Sequence, residues 1–166
     1  MDKEEMRKRT CCFTGHRNIP AYKTAEIKSR LKSVIRNLIS EGIIYFGAGG
    51  ALGFDTIAAL TVLELKEEYP QIKLILVLPC ENQTFGWSVD DVVTYNDIKA
   101  RADKCVYTSK NYYNGCMQKR NRHLVDNSSV CVCYLTQNSG GTFYTVNYAV
   151  EKKLKIYNIA NEQSIC

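Results

Sequence analysis

The sequence predicts an α/β protein of the Rossmann-like, doubly wound kind, with a mainly parallel sheet and helices on both faces. Segments with strand and helix patterns alternate from one end of the chain to the other. The strand segments are continuous apolar runs, of which residues 72–78 are the clearest. Continuous apolar strands are typical of a parallel sheet that helices cover on both sides.

Each predicted element rests on a local signal. Between residues 22 and 41, apolar side chains recur at helical spacing, and Gly42 stands where a glycine commonly ends a helix. Pro70 ends the next predicted helix, because proline cannot continue the backbone hydrogen-bond ladder. The predicted strands are residues 9–14, 42–46, 72–78, 105–107, 129–135 and 154–159. The predicted helices are residues 22–41, 56–69, 89–102, 116–127 and a last one from 142 to about 153.

Length and composition fit one domain. The chain has 166 residues, of which 45% are hydrophobic and 23% charged, as in ordinary globular proteins. We expect a flexible leader over residues 1–8 and a single domain over residues 9–166. No apolar run reaches the roughly 18 residues that a membrane span needs, so we expect a cytoplasmic protein without a membrane partner. The net charge of +5 is compatible with anionic ligands or nucleic acid but requires neither.

The cysteines give no metal or disulfide signal. There are eight of them and only two histidines, and no pair has C-x-x-C spacing. Most lie in apolar runs, where cysteine behaves as a small hydrophobic residue. We therefore expect reduced thiols and no metal site.

A glycine-rich loop is the most informative stretch of the chain. It lies between a predicted strand and a predicted helix and contains Gly47, Gly49, Gly50 and Gly53. Such a loop exposes backbone N–H groups and the positive end of the helix dipole, which together bind anions, most often phosphate. Its spacing matches neither the Walker A loop nor the G-x-G-x-x-G fingerprint. The alternative is a tight turn that allows close packing of helix and sheet.

Three turns are expected to meet at one edge of the sheet. Each follows a predicted strand: Gly15, His16 and Arg17 after the first, residues 47–55 after the second, and Gly140, Gly141 and Thr142 after the fifth. Ligands of open α/β sheets bind outside the carboxyl ends of the strands, where the strand order reverses. The convergence of these turns predicts a ligand site there.

Arginines near these turns are candidates for binding phosphate. Arg17 follows the first strand, and Arg120 and Arg122 lie on the predicted helix at 116–127 with Asn121 between them. The planar guanidinium group binds phosphate through two parallel hydrogen bonds. For any single arginine, a solvated surface charge is the alternative.

Several other residues have two possible roles. Asp55 either caps the second helix or accepts a hydrogen bond from a ribose hydroxyl, and Thr142 either caps the last helix or contacts phosphate. Trp87 and Tyr112 either stack on a base or pack against the protein. His16 has no evident partner for general-base chemistry, which favours a structural role in its turn.

Four motifs together resemble a known family. Phe13-Thr-Gly-His-Arg17, Gly49-Gly-Ala-Leu-Gly-Phe-Asp55, Arg120-Asn-Arg122 and Gly140-Gly-Thr142 occur in this order over about residues 9–159. They resemble the YpsA-like branch of the SLOG superfamily, which unites the DNA-processing protein Smf/DprA with the LOG phosphoribohydrolases. The resemblance implies a Rossmann-like fold in a bacterial protein that binds nucleotides or nucleotide-derived ligands, and it suggests a homodimer.

The resemblance leaves the activity open. Similar segments in the DNA-processing relatives belong to a pocket for single-stranded DNA. The LOG motif P-G-G-x-G-T-x-x-E corresponds here to residues 139–146, which lack its proline and its glutamate. We therefore expect a sensor or regulatory module that binds ADP-ribose, an NAD-like molecule or another nucleotide, with no catalytic residue and no required cofactor. Single-stranded nucleic-acid binding and nucleosidase activity, with Asp55, Asp90 or Asp126 as the carboxylate, are the alternatives.

Two mutational expectations follow from the sequence. Gly53→Glu should abolish ligand binding while the fold persists, because it adds bulk and negative charge beside the phosphate. Arg17→Ala and Arg120→Ala should each weaken binding by roughly 1.5–3 kcal/mol and change stability little.

Overall fold

Six strands and six helices alternate in the computed structural model, which describes residues 1–161. The strands are β1 Thr10–Gly15, β2 Tyr45–Ala48, β3 Lys73–Leu78, β4 Lys104–Tyr107, β5 Val130–Tyr134 and β6 Lys155–Asn158. The helices are α1 Lys3–Lys8, α2 Thr24–Ser40, α3 Phe54–Glu68, α4 Val89–Arg101, α5 Cys116–Asp126 and α6 Gly141–Glu151. None of the helices in this part of the chain is long and apolar enough to cross a membrane.

All strands lie in one parallel sheet. Their order is β4-β3-β2-β1-β5-β6, and every neighbouring pair is parallel. The chain moves outward from β1 to β4 and then returns to place β5 on the other side of β1. The strand order therefore reverses between β1 and β5, where Gly15 pairs with Tyr134. The predicted α/β Rossmann-like fold is confirmed.

Helices cover both faces of the sheet and divide the core in two. Helices α2, α3 and α4 share the larger core with one face, where Phe13, Phe46 and Phe54 are fully buried. Helices α5 and α6 pack on the other face against a smaller core that contains Cys12, Cys131 and other apolar residues. The seven cysteines within residues 1–161 are free thiols. The eighth, Cys166, lies outside the described residues.

The boundaries of the second strand and helix differ from the prediction. β2 begins at Tyr45, three positions later than expected, and includes Gly47. Gly42 ends the preceding helix with a φ of 100°, and the N–H groups of Ile44 and Tyr45 both donate to the Arg9 carbonyl at 2.9 and 3.0 Å. The apolar residues before Tyr45 belong to this connection and not to the strand. β2 therefore starts later and extends into the glycine-rich stretch.

The expected flexible leader is a short helix. Asp2 and Glu5 form a reciprocal capping box at the start of α1, with the Glu5 N–H 2.9 Å from the Asp2 Oδ1 atom. Arg7 at its other end donates to the Ser128 carbonyl at 3.1 Å. Asp2 and Glu5, three positions apart, carry the local signal for this helix.

Phe54 links the first two strands to helix α3 and offers a test of this packing. Its ring is fully buried and lies 6.3 Å from the ring of Phe13 and 6.1 Å from that of Tyr134. We predict that Phe54→Ala lowers the free energy of unfolding by about 3–5 kcal/mol, because it leaves a cavity beneath the first turn. Denaturant unfolding measures the change. The control Phe85→Ala removes a ring that is 89% exposed and should change stability by less than about 0.5 kcal/mol.

Candidate functional site

A cavity opens at the carboxyl edge of the sheet, where the strand order reverses. Its volume is about 150 Å³. Residues from the three predicted turns and from α5 line it: Thr14, Gly15, Arg17, Ala51, Asp55, Gln83, Trp87, Met117, Arg120, Asn121, Gly141 and Thr142. The tertiary structure therefore brings together the turns that the sequence singled out.

The glycine loop rests on a buried arginine. Arg120 is only 5% exposed, and its guanidinium group donates from Nη1 to the Gly49 carbonyl. The same carbonyl accepts a hydrogen bond from Gln83 Nε2 at 3.1 Å. A Cβ atom at Gly49 would collide with the Arg120 guanidinium, so a larger residue there would displace the arginine from its place under the loop. Arg120 thus supports the loop from below, whereas the sequence analysis expected it to bind the ligand without a structural role.

Asp55 holds the same loop from its other side. Its Oδ2 atom accepts a hydrogen bond from the Ala51 N–H at 3.3 Å, and the carboxyl group is buried. Burial raises the pKa of Asp55, and the nearby positive charge of Arg120 opposes that rise. Asp55 is not the N-cap of α3, because Gly53 occupies that position. It compensates the buried charge of Arg120 and bonds the loop.

Gly53 makes a backbone contact that no other residue can make. Its φ of 78° lies in the left-handed region, and a Cβ atom there would collide with the carbonyl of Arg17. The next residue, Phe54, donates its N–H to the His16 carbonyl at 3.1 Å. Gly53→Glu would therefore disrupt the packing of the loop on the first turn. Contrary to our sequence-based expectation, that substitution does not test ligand binding alone.

The other predicted glycines have separate roles. Gly15 lies so close to the Phe54 ring that a Cβ atom would collide with it. Gly47 faces Leu124 of α5 and does not line the cavity. Gly50, with a φ of 74°, and Gly140, with a φ of 94°, form sharp turns outside the cavity lining. Two of these glycines, Gly15 and Gly47, thus allow close packing, which was the alternative interpretation of the loop.

His16 joins two of the turns. Its Nε2 atom accepts a hydrogen bond from the Thr136 N–H at 2.9 Å, and its ring packs edge-on against Tyr134. Burial lowers the pKa of His16, which favours the neutral ring that this hydrogen bond requires. Because Nε2 is already occupied and His16 does not line the cavity, the structure supports the structural role.

Arg17 is the exposed arginine of the cavity. Its Cζ atom lies 6.0 Å from the centre of the Trp87 ring, which itself packs edge-on against Tyr95 at 5.5 Å. Across the cavity are Gly141 and Thr142, at the start of α6. No side chain caps that helix start, so its N–H groups face the site without a side-chain partner.

A wider groove continues from the cavity past Trp87. Its volume is about 450 Å³, and Tyr112, Phe85 and Asn82 extend its walls. Phe85 is 89% exposed and Tyr112 is 61% exposed. The Tyr112 N–H donates to the Asn82 side chain at 3.2 Å, which positions the loop that carries the tyrosine. Trp87 lines both spaces and forms the boundary between them.

The two residues that follow Arg120 occupy different places: one lines the cavity and the other does not. Asn121 lines the cavity and accepts a hydrogen bond from Arg120 Nε at 2.8 Å. Arg122 is exposed and lies outside the cavity lining. Successive helical residues point in directions about 100° apart, so three consecutive residues cannot all face one site. Of the carboxylates considered as alternatives, Asp90 and Asp126 also lie outside the cavity lining.

Sequence reasoning missed four lining residues: Thr14, Ala51, Gln83 and Met117. Met117 lies three and four positions before Arg120 and Asn121, and this helical spacing identifies all three as one face of α5. Thr14 directly precedes Gly15 at the end of a strand. No local signal marks Gln83, which lies in an irregular segment.

Comparison with known families agrees with this geometry. The YpsA family model, described as the YspA SLOG family, matches residues 11–162. The chain belongs to this family. Protein YoqJ of Bacillus subtilis, derived from the SPbeta prophage, is 31% identical over 137 residues, which are 75% of this chain and 80% of YoqJ. A UPF0398 protein of Brevibacillus brevis is 31% identical over 131 residues, 77% of this chain and 70% of the relative.

Two solved structures resemble this SLOG protein in fold. One is DNA processing protein A from Helicobacter pylori, studied for its single-stranded DNA binding mode, with a TM-score of 0.65 and 18% identity. The other is DNA processing protein A from Streptococcus pneumoniae, with a TM-score of 0.66 and 13% identity. The matches cover 93% and 92% of this chain but only 66% and 50% of those longer chains.

The buried groups of Arg120 and Asp55 lead to a prediction about stability. We predict that Arg120→Met lowers the free energy of unfolding by about 1–3 kcal/mol, because the buried Gly49 carbonyl loses a charged donor and Asp55 loses a nearby positive charge. Adding Asp55→Asn should recover part of that loss, so the double variant should be more stable than the sum of the single changes. Denaturant unfolding measures these values. The exposed Arg122→Met is the control, and a loss at Arg120 as small as the control's would contradict this role.

The hydrogen bond at His16 predicts a dependence of stability on pH. Burial lowers the pKa of His16 and of His123 below the usual 6.5, so the unfolded chain binds more protons than the folded one. The free energy of unfolding should therefore be highest above pH 6.5 and fall as the pH drops toward 5. His16→Gln keeps an acceptor for the Thr136 N–H but cannot be protonated. In this variant the free energy of unfolding should therefore decrease less as the pH drops.

Urea unfolding at several pH values between 7.5 and 5 measures this effect, with His123→Gln as the matched variant. Each substitution should reduce the slope of the free energy of unfolding against pH, and the double variant should remove most of that slope. An unchanged slope in His16→Gln would show that the histidine does not resist protonation.

Proposed function

We propose that this SLOG protein binds a nucleotide-derived small ligand and acts as a sensor or regulatory module. The observation that carries the proposal is the arrangement of two connected spaces at the switch point. The two spaces share Arg17 and Trp87; the inner cavity adds mainly polar groups, and the outer groove adds the aromatic rings of Phe85 and Tyr112. A nucleotide has the same division between phosphate and sugar at one end and a flat base at the other.

The charges of the inner cavity favour one or two phosphates. The positive charge of Arg120 is compensated by Asp55, so Arg17 supplies the charge that remains for an anion. The uncapped start of α6 supplies backbone N–H groups and a positive dipole end on the opposite wall. Asn121 adds an amide group at the side. These donors surround about 150 Å³, which suits a phosphate with part of a sugar.

The outer groove favours a base. Trp87 forms its inner wall, and Phe85 and Tyr112 expose most of their rings along it. A base stacked on such rings gains roughly 1–3 kcal/mol, whichever base it is. The groove therefore supports binding of a base, while its tolerant stacking does not select one nucleotide.

We predict that at least one nucleotide-derived ligand raises the melting temperature progressively as its concentration rises, because it binds the native state only. ADP-ribose, NAD and mononucleotides are titrated by thermal shift and calorimetry. Arg17→Ala should weaken binding by about 1.5–3 kcal/mol without changing stability in the absence of ligand. Lys119→Ala, an exposed cation outside the cavity, is the matched control. Equal affinity in both variants would remove Arg17 from the proposed site.

Single-stranded nucleic acid is the second candidate ligand. The fold similarity to the Helicobacter pylori protein and the exposed rings of Phe85 and Tyr112 favour it. A strand that contacts many phosphates gives binding that falls steeply with salt, whereas a ligand with one or two phosphates loses affinity only modestly. Anisotropy with a homopolymeric strand at two salt concentrations separates the two. Tight strand binding with no response to any nucleotide would favour this alternative.

A further inference from the structure

A second concave surface begins at the opposite end of the sheet. It has a volume of about 400 Å³ and extends from the amino ends of the strands along one face as far as Gly47 and Val77. Its floor is the outer face of β2, β3 and β4, and its walls are α1 and α5. We call it the amino-end groove and define it by Met6, Tyr45, Lys73, Ile75, Val77, Lys104, Val106, His123 and Leu124.

The topology explains why this face is open. Helices α2, α3 and α4 connect β1 to β4 and all pack on one face, while on the other face α5 packs against β1 and β3, and α6 against β1, β5 and β6. Strands of a parallel sheet are normally covered by helices on both faces. On this second face α5 reaches β3, but within the described chain no helix packs extensively over β4. Ile75 and Val106 are only partly buried there.

The floor and the rim differ in chemistry. Ile75 and Val106 provide the accessible part of an apolar floor, to which the buried Val77 also belongs. The exposed Lys73 and Lys104 lie at the first positions of β3 and β4, and Lys3 extends from α1. Within residues 1–161, none of these three lysines forms an ion pair.

The acidic groups beside the groove are already engaged. Asp103 pairs with Lys66 and accepts the Leu74 N–H at 2.9 Å, while Glu4 pairs with Arg7 at 2.8 Å. The rim therefore keeps an excess of positive charge that faces solvent. The groove thus has an apolar strip between lysines that form no ion pair. A row of apolar side chains with carboxylates on either side would be complementary to it.

We propose that the amino-end groove is a docking surface for an acidic amphipathic helix of a partner protein. The apolar side chains of that helix lie on Ile75 and Val106, and its carboxylates meet Lys73 and Lys104. It takes the place of the covering helix that the described chain does not provide over β4. This site is separate from the nucleotide site, so either proposal can fail without the other.

A designed peptide tests the proposal. The probe is a fluorescent amphipathic helix of about four turns with leucines on one face and glutamates beside them. One control peptide carries lysines in place of the glutamates, and another has the same composition with the leucines distributed around the helix. We expect the acidic amphipathic peptide to bind and both controls to bind at least about tenfold more weakly. In NMR spectra of the full chain, its binding should shift the amide signals of Ile75 and Val106.

Charge reversal on the protein completes the test. The double variant Lys73→Glu and Lys104→Glu should bind the acidic peptide about tenfold more weakly and the lysine peptide more tightly than the wild type does. Both lysines are exposed, so the fold should persist, and Lys110→Glu with Lys119→Glu is the matched control on exposed lysines outside the groove.

Three results would overturn the proposal. They are absence of binding by the acidic peptide, equal binding of the scrambled peptide, and signal shifts confined to other surfaces. A self-associated wild-type protein that the Lys73 and Lys104 reversal dissociates would also overturn it, because a second copy would then occupy the groove.

Discussion

The carbonyl of Gly49 is the point on which the candidate site depends. It accepts hydrogen bonds from Arg120 on α5 and from Gln83 in the segment after β3, so three separate parts of the chain meet at one oxygen. Burying the arginine is costly unless its charge is compensated, and Asp55 at the start of α3 supplies that compensation. The path of the glycine loop follows from this arrangement. The loop lies where the buried guanidinium holds it, and the cavity is the space left in front of it.

Close approach between backbones is the second constraint. Gly53 lies against the carbonyl of Arg17, and Gly15 lies against the ring of Phe54. These contacts bring the first turn and the glycine loop together at the carboxyl edge, and His16 ties the first turn to the turn after β5. The three turns therefore form one continuous rim. In this protein, glycines of a kind that often marks phosphate-binding loops bring neighbouring segments of the chain into contact.

The two arginines of the site show why residue type alone does not assign a role. Arg120 is buried near a carboxylate, and its hydrogen bonds are to protein groups. Arg17 is exposed beside Trp87. Desolvation decides between these roles, because a buried cation must be paired while an exposed one stays available. The amino-end groove follows the same rule, since its unpaired lysines lie at the surface.

The amino-acid sequence alone determined the alternation of strands and helices, the parallel sheet and the three turns at the carboxyl edge. These features depend on apolar runs, glycine positions and helical periodicity, all of which act over a few neighbouring residues, while the family followed from the resemblance of four motifs. Only the tertiary structure decided that Arg120 supports the loop, that Gly47 faces Leu124, that Gln83 joins the site and that β4 has an open face. Arg120 and Gly49 are 71 positions apart. Contacts over such distances depend on how the crossovers pack, and no local pattern of residues specifies them.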